Sequence, residues 1–332
     1  MSSPLVSVII PTFNRAGVLA RAIDSVLGQT YRPVEVMVVD DGSMDDTPEI
    51  LKTYGDAIVS VVQDNAGPSA ARNRGIRESR GELIAFLDSD DLWLATKLER
   101  QVDLLAKAGS EVPCCLCDSL IRMPSGEERS SFEIAWLRPS EPEGLWLNPA
   151  AVLATRFVLF SQAVLVRRRF LLDCGCFDEQ LWLMEDHDLA LRLALRGPWA
   201  FIREPLVRCW GAEDDRIKLS AVAQRQPVKL YQSIEYIDRK VLERESPLDD
   251  RVRRLLQWDL RGVRRKLLAE RWLARGGILP RLGAKGILQW VRLERACFGR
   301  SRSYPMAETR PIVGPVRDQG RVFPTAGNKE PN

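Results

Sequence analysis

The sequence predicts an α/β fold, a mostly parallel sheet with helices on both faces, continued by a C-terminal helical extension. Three observations carry that expectation. Short apolar runs rich in β-branched residues alternate with segments of helical periodicity over the first hundred residues. The connections between them are short and hold Gly, Pro, Asn and Asp. Beyond Gly211 the alternation stops, and long amphipathic helical patterns take over.

Leu5–Ile10 is an unbroken apolar run, as a parallel strand buried on both faces should be. Pro11-Thr12-Phe13-Asn14 ends it, and Val18, Leu19, Ala22, Ile23, Val26 and Leu27 then recur at helical spacing. Val34–Val39 is the second strand, closed by Asp40-Asp41-Gly42-Ser43. Asp45, Asp46 and Thr47 offer caps to a helix with Pro48 in its first turn. Ala57–Val62 reads as a third strand and Pro68–Glu78 as a helix. The fourth strand, Leu83–Leu87, runs into Asp88, Asp90 and Asp91. Crossovers between these strands should be right-handed.

Thr96–Ala108 is an amphipathic helix and Val112–Arg122 a strand. Pro124–Asn148 reads as irregular, with Trp136, Leu145, Trp146 and Leu147 suited either to a lid or sugar-stacking wall or to plugging the loop onto the core. Gln162–Val166 is a strand, Arg167–Asp173 a helical turn and Gly175–Glu179 a turn. Glu185–Arg196 is a helix and Trp199–Arg208 a further strand. Helices are expected over Leu219–Leu242, over Leu248–Ala274 with Ser246 as cap, and over Leu282–Cys297. The last thirty residues lack periodicity and read as disordered. The expected division is therefore 1–215, 216–300 and 301–332.

The 332 residues are 45% hydrophobic and 28% charged, as in a soluble globular protein. The net charge of +3 hides an asymmetry: residues 251–300 hold 14 Lys+Arg against 3 Asp+Glu, or +11, which leaves −8 on the rest. Strand-like sequence from Leu5 leaves no room for a signal peptide, and no apolar run approaches a membrane span. Seven cysteines without an export signal fit a reducing cytoplasm, and the expected location is cytoplasmic, at most peripheral at the inner membrane face. Cys114, Cys115, Cys117, Cys174 and Cys176 lack zinc-site spacing and read as buried thiols.

Polar chemistry recurs at each strand's carboxyl end, where ligands bind in open α/β sheets. Strand one ends in Pro11, Thr12, Phe13 and Asn14, and strand two in Asp40 and Asp41. Strand three is followed by Asn65, Gly67 and Arg72, strand four by Asp88, Ser89, Asp90 and Asp91. Glu185 and Asp186 open a later helix. Each alone reads as a turn or a helix-capping acid. Together they fit a nucleotide, its ribose and a metal-bound diphosphate.

In order, Val6-Ser-Val-Ile-Ile-Pro-Thr-Phe-Asn14, Val38-Val-Asp-Asp-Gly-Ser43, Asn65-Ala-Gly67, Ala71-Arg-Asn-Arg-Gly75, Gly81–Asp91, Gly175–Glu179 and Glu185–Leu189 resemble glycosyltransferase family 2. The resemblance covers roughly residues 4–210 and implies the Rossmann-like GT-A fold and an inverting transfer from a nucleotide-diphospho-sugar donor. It implies that Pro11, Thr12, Phe13, Asn14 and Asp41 face the base and ribose, with Asp40 supporting the turn. Asn65, Gly67 and Arg72 would line the nucleotide pocket, and Asp88 and Ser89 would lie beside the ribose and metal. Asp90, with Asp88, would hold Mn²⁺ or Mg²⁺, and Asp186, with Glu185 beside it, would be the catalytic base. A single base-bearing face implies one displacement, with no second carboxylate as nucleophile.

Leu268 stands where processive synthases carry Gln in Gln-x-x-Arg-Trp, ahead of Arg271-Trp272, so a processive synthase is disfavoured. No His follows Trp210, and His187, the sole histidine, is given no role. Residues 251–300, with Trp258, Trp272 and Trp290, offer either peripheral contact with an anionic membrane or a packed helical appendage; no nucleic-acid motif is present. The expected acceptor is a glycan or a lipid-linked one, in cell-surface glycan or lipopolysaccharide assembly. A sugar-nucleotide-binding scaffold without turnover and a nucleotidyltransferase remain the alternatives.

Overall fold

The computed structural model describes residues 3–123, 125–209, 226–245, 247–274, 282–289 and 307–312. The amino-terminal part follows the expected alternation: β1 (Val6–Thr12), α1 (Ala16–Leu27), β2 (Val34–Asp40), α2 (Thr47–Thr53), β3 (Val59–Val62), α3 (Pro68–Glu78) and β4 (Leu83–Phe86). Side by side, β3, β2, β1 and β4 are all parallel. Val6, Val8, Ile9, Ile10 and Val36 to Val39 are buried because β1 and β2 are covered on both faces. At the free edge, β3 exposes Val59 and Val62.

The sheet continues through β9 (Val164–Arg167), β6 (Cys114–Arg122), β10 (Trp199–Cys209), β8 (Glu143–Trp146) and β11 (Thr309–Arg310). Of the nine strands in this path, β9 and β8 run against the other seven, so the sheet is mostly parallel in sense. β5 (Asp91–Trp93) adds to β10, and β7 (Glu128–Ser130) to β6. The helices among them are α4 (Lys97–Ala108), α5 (Ser131–Ile134), α6 (Pro149–Leu153), α7 (Arg168–Asp173) and α8 (Glu185–Ala194). Because β9 is antiparallel to β4, with Ala85 opposite Leu165, the chain just before β9 lies next to the chain just after β4. That placement later brings Gln162 to Asp88.

Four expectations are corrected. Residues 125–148 are not irregular: β7, α5 and β8 form there. Leu145 and Trp146 are core residues of β8, and the Trp146 ring meets Trp199 edge-on at 5.5 Å, so neither belongs to a lid. Thr309–Arg310 pairs with β8, so the tail is not disordered throughout. The long helix starts at Asp250 rather than Leu248, and Asp249 accepts from the Arg251 and Val252 N–H groups at 2.9 and 3.1 Å. Ser246 itself, Trp210 to Arg225 and the 290–297 part of the last expected helix lie outside the described residues.

C-terminal helices α9 (Pro227–Arg244) and α10 (Asp250–Ala274) pack on each other, α10 burying Val252, Leu255, Leu256, Trp258, Val263 and Leu267. Lys240 of α9 reaches Asp178 at 2.7 Å and Asp188 of α8 at 2.9 Å. Both tryptophans described there face protein: Trp258 is buried, and a Cβ on Gly283 would sit 2.0 Å from the Trp272 ring. Trp290 lies outside the described residues. Among the described residues no helix is long and apolar enough to cross a membrane. Cys114, Cys115 and Cys117 are buried free thiols in β6, and burial pushes each up from its ordinary pKa.

Candidate functional site

Three loops at the carboxyl edge of β1, β2 and β3 lock together. Asn14 adopts the left-handed region (φ 52°) that Asn tolerates. Its N–H donates to Ser43 Oγ and its Oδ1 accepts from the Met44 N–H, both at 2.8 Å. Thr47 Oγ1 and Asp45 Oδ2 accept from the Arg15 and Ala16 N–H groups at 3.1 and 3.0 Å. The unsatisfied first turn of α1 is thus capped by the loop after β2. Asp40 accepts from the Ser43 N–H at 2.9 Å through Oδ1, while its buried Oδ2 has no partner.

Asp41 is turned to the next loop. It accepts from Gln63 Nε2 at 2.7 Å and from the Ala66 and Gly67 N–H groups at 2.9 and 2.8 Å. Gly42 (φ 81°) permits this closeness, since a Cβ there would lie 3.1 Å from the Asn65 nitrogen. The interlocked loops leave Phe13 and Asn65 exposed, Pro11 and Gly67 half-buried, and Thr12 buried. Asp41 thereby shapes the Asn65–Gly67 wall.

A second cluster centres on Arg72, buried on α3. Its Nη2 donates to Asp88 Oδ1 at 2.8 Å and its Nη1 to Glu185 Oε1 at 3.1 Å; its guanidinium carbon lies 5.2 Å from the centre of the Phe177 ring. Burial opposes the charge, but Asp88 and Glu185 overcome it and hold Arg72 firmly as the guanidinium. On its other side Asp88 accepts a short hydrogen bond from Gln162 Nε2. Asn73 fixes the turn that carries Phe177, exchanging hydrogen bonds with that residue's backbone at 2.9 Å in both directions. Asp88 and Glu185, 97 positions apart in sequence, therefore share one cation.

Glu185 opens α8 directly after Met184, which is left-handed (φ 68°) without being Gly or Asn. Glu185 is buried, whereas Asp186 is half-buried and bonds the next backbone N–H at 2.8 Å. Burial and the Glu185 charge raise Asp186 to about 7, against the pull of Arg72. Burial lowers His187 to about 4, so it is a neutral imidazole. Ser89 is buried, and Asp90 is half-buried at the turn between β4 and β5.

No group of three His, Cys, Asp or Glu side chains converges as a metal cage among the described residues. The donor set fits a different ion site. A hard divalent cation that keeps waters and takes diphosphate oxygens asks only one or two protein carboxylates. Asp90 is half-buried in the turn after β4, while both Asp88 oxygens are engaged by Arg72 and Gln162. Sequence reasoning missed Gln63 and Gln162. Only the antiparallel placement of β9 brings Gln162 to Asp88, and no local spacing signals it.

Residues 7–168 match the family model described as glycosyl transferase family 2, and this part of the chain belongs to that family. An uncharacterized glycosyltransferase of Rickettsia typhi is 32% identical over 210 residues, covering 62% of this chain and 64% of that protein. The Escherichia coli UDP-Glc:alpha-D-GlcNAc-diphosphoundecaprenol beta-1,3-glucosyltransferase is 38% identical over 109 residues, 32% of this chain and 43% of its own. The chain thus spans less than two thirds of the length of these curated relatives. The mannosyltransferase of Pyrobaculum calidifontis, solved with GDP-Man and Mn²⁺, matches with a TM-score of 0.56 at 22% identity, covering 91% of this chain and 82% of that one. The fold is the GT-A glycosyltransferase fold.

Proposed function

We propose that the protein is an inverting glycosyltransferase that moves a sugar from a nucleotide-diphospho-sugar to an acceptor hydroxyl, with Asp186 as general base. The observation that carries this is the half-buried Asp186, raised to about 7 beside the Arg72 hub that joins Asp88 and Glu185. A base is most effective with its pKa near the working pH. Asp186 accepts the acceptor proton as that oxygen attacks the anomeric carbon, and Glu185 keeps the pKa up while Arg72 limits the rise. With Asp186 acting as base and the acceptor oxygen as the nucleophile, the transfer is a single displacement.

The nucleotide lies over the interlocked loops, against Pro11 to Asn14, Asn65 and Gly67, with Asp40 and Asp41 holding their shape. Asp90, with Asp88 and Ser89 behind it, holds Mn²⁺ or Mg²⁺. When bound, the ion neutralises the charge growing on the leaving diphosphate. The Mn²⁺ complex of the archaeal neighbour supports this, and the name of the Escherichia coli relative supports a lipid-linked glycan acceptor at the inner membrane face, in surface glycan assembly.

The test is thermal melting of the full chain with nucleoside diphosphates and their sugars, with and without Mn²⁺, followed by turnover of the donor that binds. A ligand specific to the folded state raises Tm. Asp90→Ala should lose the metal-dependent part of that shift. Asp186→Asn should keep the shift and lose about 10²–10⁴-fold in kcat, and wild-type kcat/KM should climb with pH through about 7. Turnover untouched in Asp186→Asn would remove the base assignment. Nucleotide binding with no turnover at all would leave a binding scaffold.

A further inference from the structure

Few aromatic side chains are exposed among the described residues. Among the described residues, every Trp, Phe or Tyr classed as exposed is one of four: Phe13, Trp136, Phe157 and Trp182. Phe13 belongs to the loop after β1 on the nucleotide side. Of the other three, Trp182 and Phe157 lie close to Asp186 or its neighbour, and Trp136 is tied to the Phe157 segment through Arg156. Trp182 lies on the turn leading into α8, four residues before Asp186, so their Cα atoms are within about 14 Å. The Phe157 ring centre is 6.0 Å from that of His187, the residue after Asp186. Arg156, next to Phe157, donates to the Trp136 carbonyl at 3.5 Å, and Arg138 covers the Trp136 ring at 5.3 Å.

Single exposed apolar residues need no explanation, but this is not a random scatter. The remaining described tryptophans, Trp93, Trp146, Trp199, Trp258 and Trp272, are buried or half-buried. Trp182, at 73% exposure, is the most open of all. The turn that presents it is anchored rather than loose. Leu181 and Leu183 on either side are buried, the Leu181 N–H donates to the Asp178 carbonyl at 3.1 Å, and Asp178 is held by Lys240 at 2.7 Å. The indole is therefore held outward by a fixed backbone.

We infer that Trp182, Phe157 and Trp136 form the acceptor platform, and that the acceptor is a saccharide whose pyranose ring lies with its apolar face on these aromatics. This rests on the proposed function, because it takes Asp186 as the base. A pyranose has one face of C–H bonds and a rim of hydroxyls. Aromatic faces carry the negative end of a quadrupole and receive such C–H groups, while few polar contacts are needed to orient the ring. His187 is neutral and so adds no charge of its own beside Asp186. Trp182, four residues before Asp186, and Phe157, packed near His187, would set a ring hydroxyl against its carboxylate.

The experiment titrates the full chain with methyl glycosides of glucose, galactose and N-acetylglucosamine by saturation-transfer NMR, in the presence of the nucleoside diphosphate that raises its Tm. Wild type, Trp182→Ala and Phe157→Ala are compared, with Leu172→Ala, a change at an exposed residue of α7 outside both the aromatic group and the nucleotide loops, as the control. At least one glycoside should bind wild type and Leu172→Ala alike and bind Trp182→Ala tenfold or more weakly. Nucleoside diphosphate binding, read in the same samples, should persist in all variants. Equal glycoside affinity in Trp182→Ala and wild type overturns the platform, as does wild type that binds nucleotide but none of the glycosides. Pelleting with anionic phospholipid vesicles that is lost in Trp136→Ala, without any change in glycoside binding, would overturn it in favour of a membrane-facing patch. Failure of wild type to bind any nucleotide would instead strike the parent reading.

Discussion

Replacing Arg72 by Met keeps most of the unbranched stem and removes the cation that Asp88 and Glu185 share. Both hydrogen bonds, at 2.8 and 3.1 Å, are lost, and Arg72 and Glu185 are themselves buried. Removing one partner of a buried ion pair costs about 3–5 kcal/mol, because the surviving charge is left without compensation. Glu185 bears most of that cost, since Asp88 is partly solvated and keeps Gln162. The variant should lose about 3–5 kcal/mol in denaturant unfolding, a drop in Tm on the order of 10 °C. Arg72 also lowers the Asp186 pKa, so the rising limb of kcat/KM against pH should move above its wild-type position near 7. Arg72→Met with Glu185→Gln should be more stable than Arg72→Met alone, because the orphaned carboxylate is gone. A single variant within 1 kcal/mol of wild type, with an unmoved pH profile, would refute the shared-cation account.

Two further outcomes follow from packing elsewhere. Asp238 of α9 is buried with one oxygen unpartnered, and burial with the Asp259 charge raises it to about 9. Its folded pKa lies above the unfolded one, so its contribution is full below about pH 4 and is lost as pH rises through about 9. Asp238→Asn should flatten that decline and melt higher than wild type at pH 8; an unchanged slope of Tm against pH would count against the buried proton. Gly75 and Gly262 look alike in the sequence, both inside helices. A Cβ at Gly75 would lie 2.5 Å from Ile9 Cγ2, whereas nothing lies within 4 Å of one at Gly262. Gly75→Ala should destabilise by about 1–2 kcal/mol, because overpacking exceeds the helical gain. Gly262→Ala should stabilise by up to about 1 kcal/mol; equal denaturation midpoints for the two would contradict this.

Much of the amino-terminal half was legible because its determinants are local. Strands covered on both faces must be apolar throughout, and the loops that end them must carry Gly, Asn and Asp to turn. Hence β1, β2, α3 and β4 could be read to within a residue or two, and the polar residues between them assigned to one sheet edge. The tail misled for a complementary reason. Thr309–Arg310 has no periodicity of its own and is ordered only because β8 offers it a free edge. The Pro124–Asn148 stretch misled because short elements such as β7 and α5 depend on partners, not on pattern.

The sequence by itself determined the strand and helix alternation, the acidic ends of the strands and the family to which residues 7–168 belong. Only the tertiary structure decided what each acid does. Asp41 is spent on the Gln63–Gly67 loop, Asp88 is clamped between Arg72 and Gln162, and Asp186 is left half-open with a raised pKa. It also decided that Trp146 is core while Trp136 and Trp182 face out. The reason is physical. A residue type fixes which groups can ionise or stack, but burial and partners fix their charge state and access, and those come from chain segments a hundred positions away.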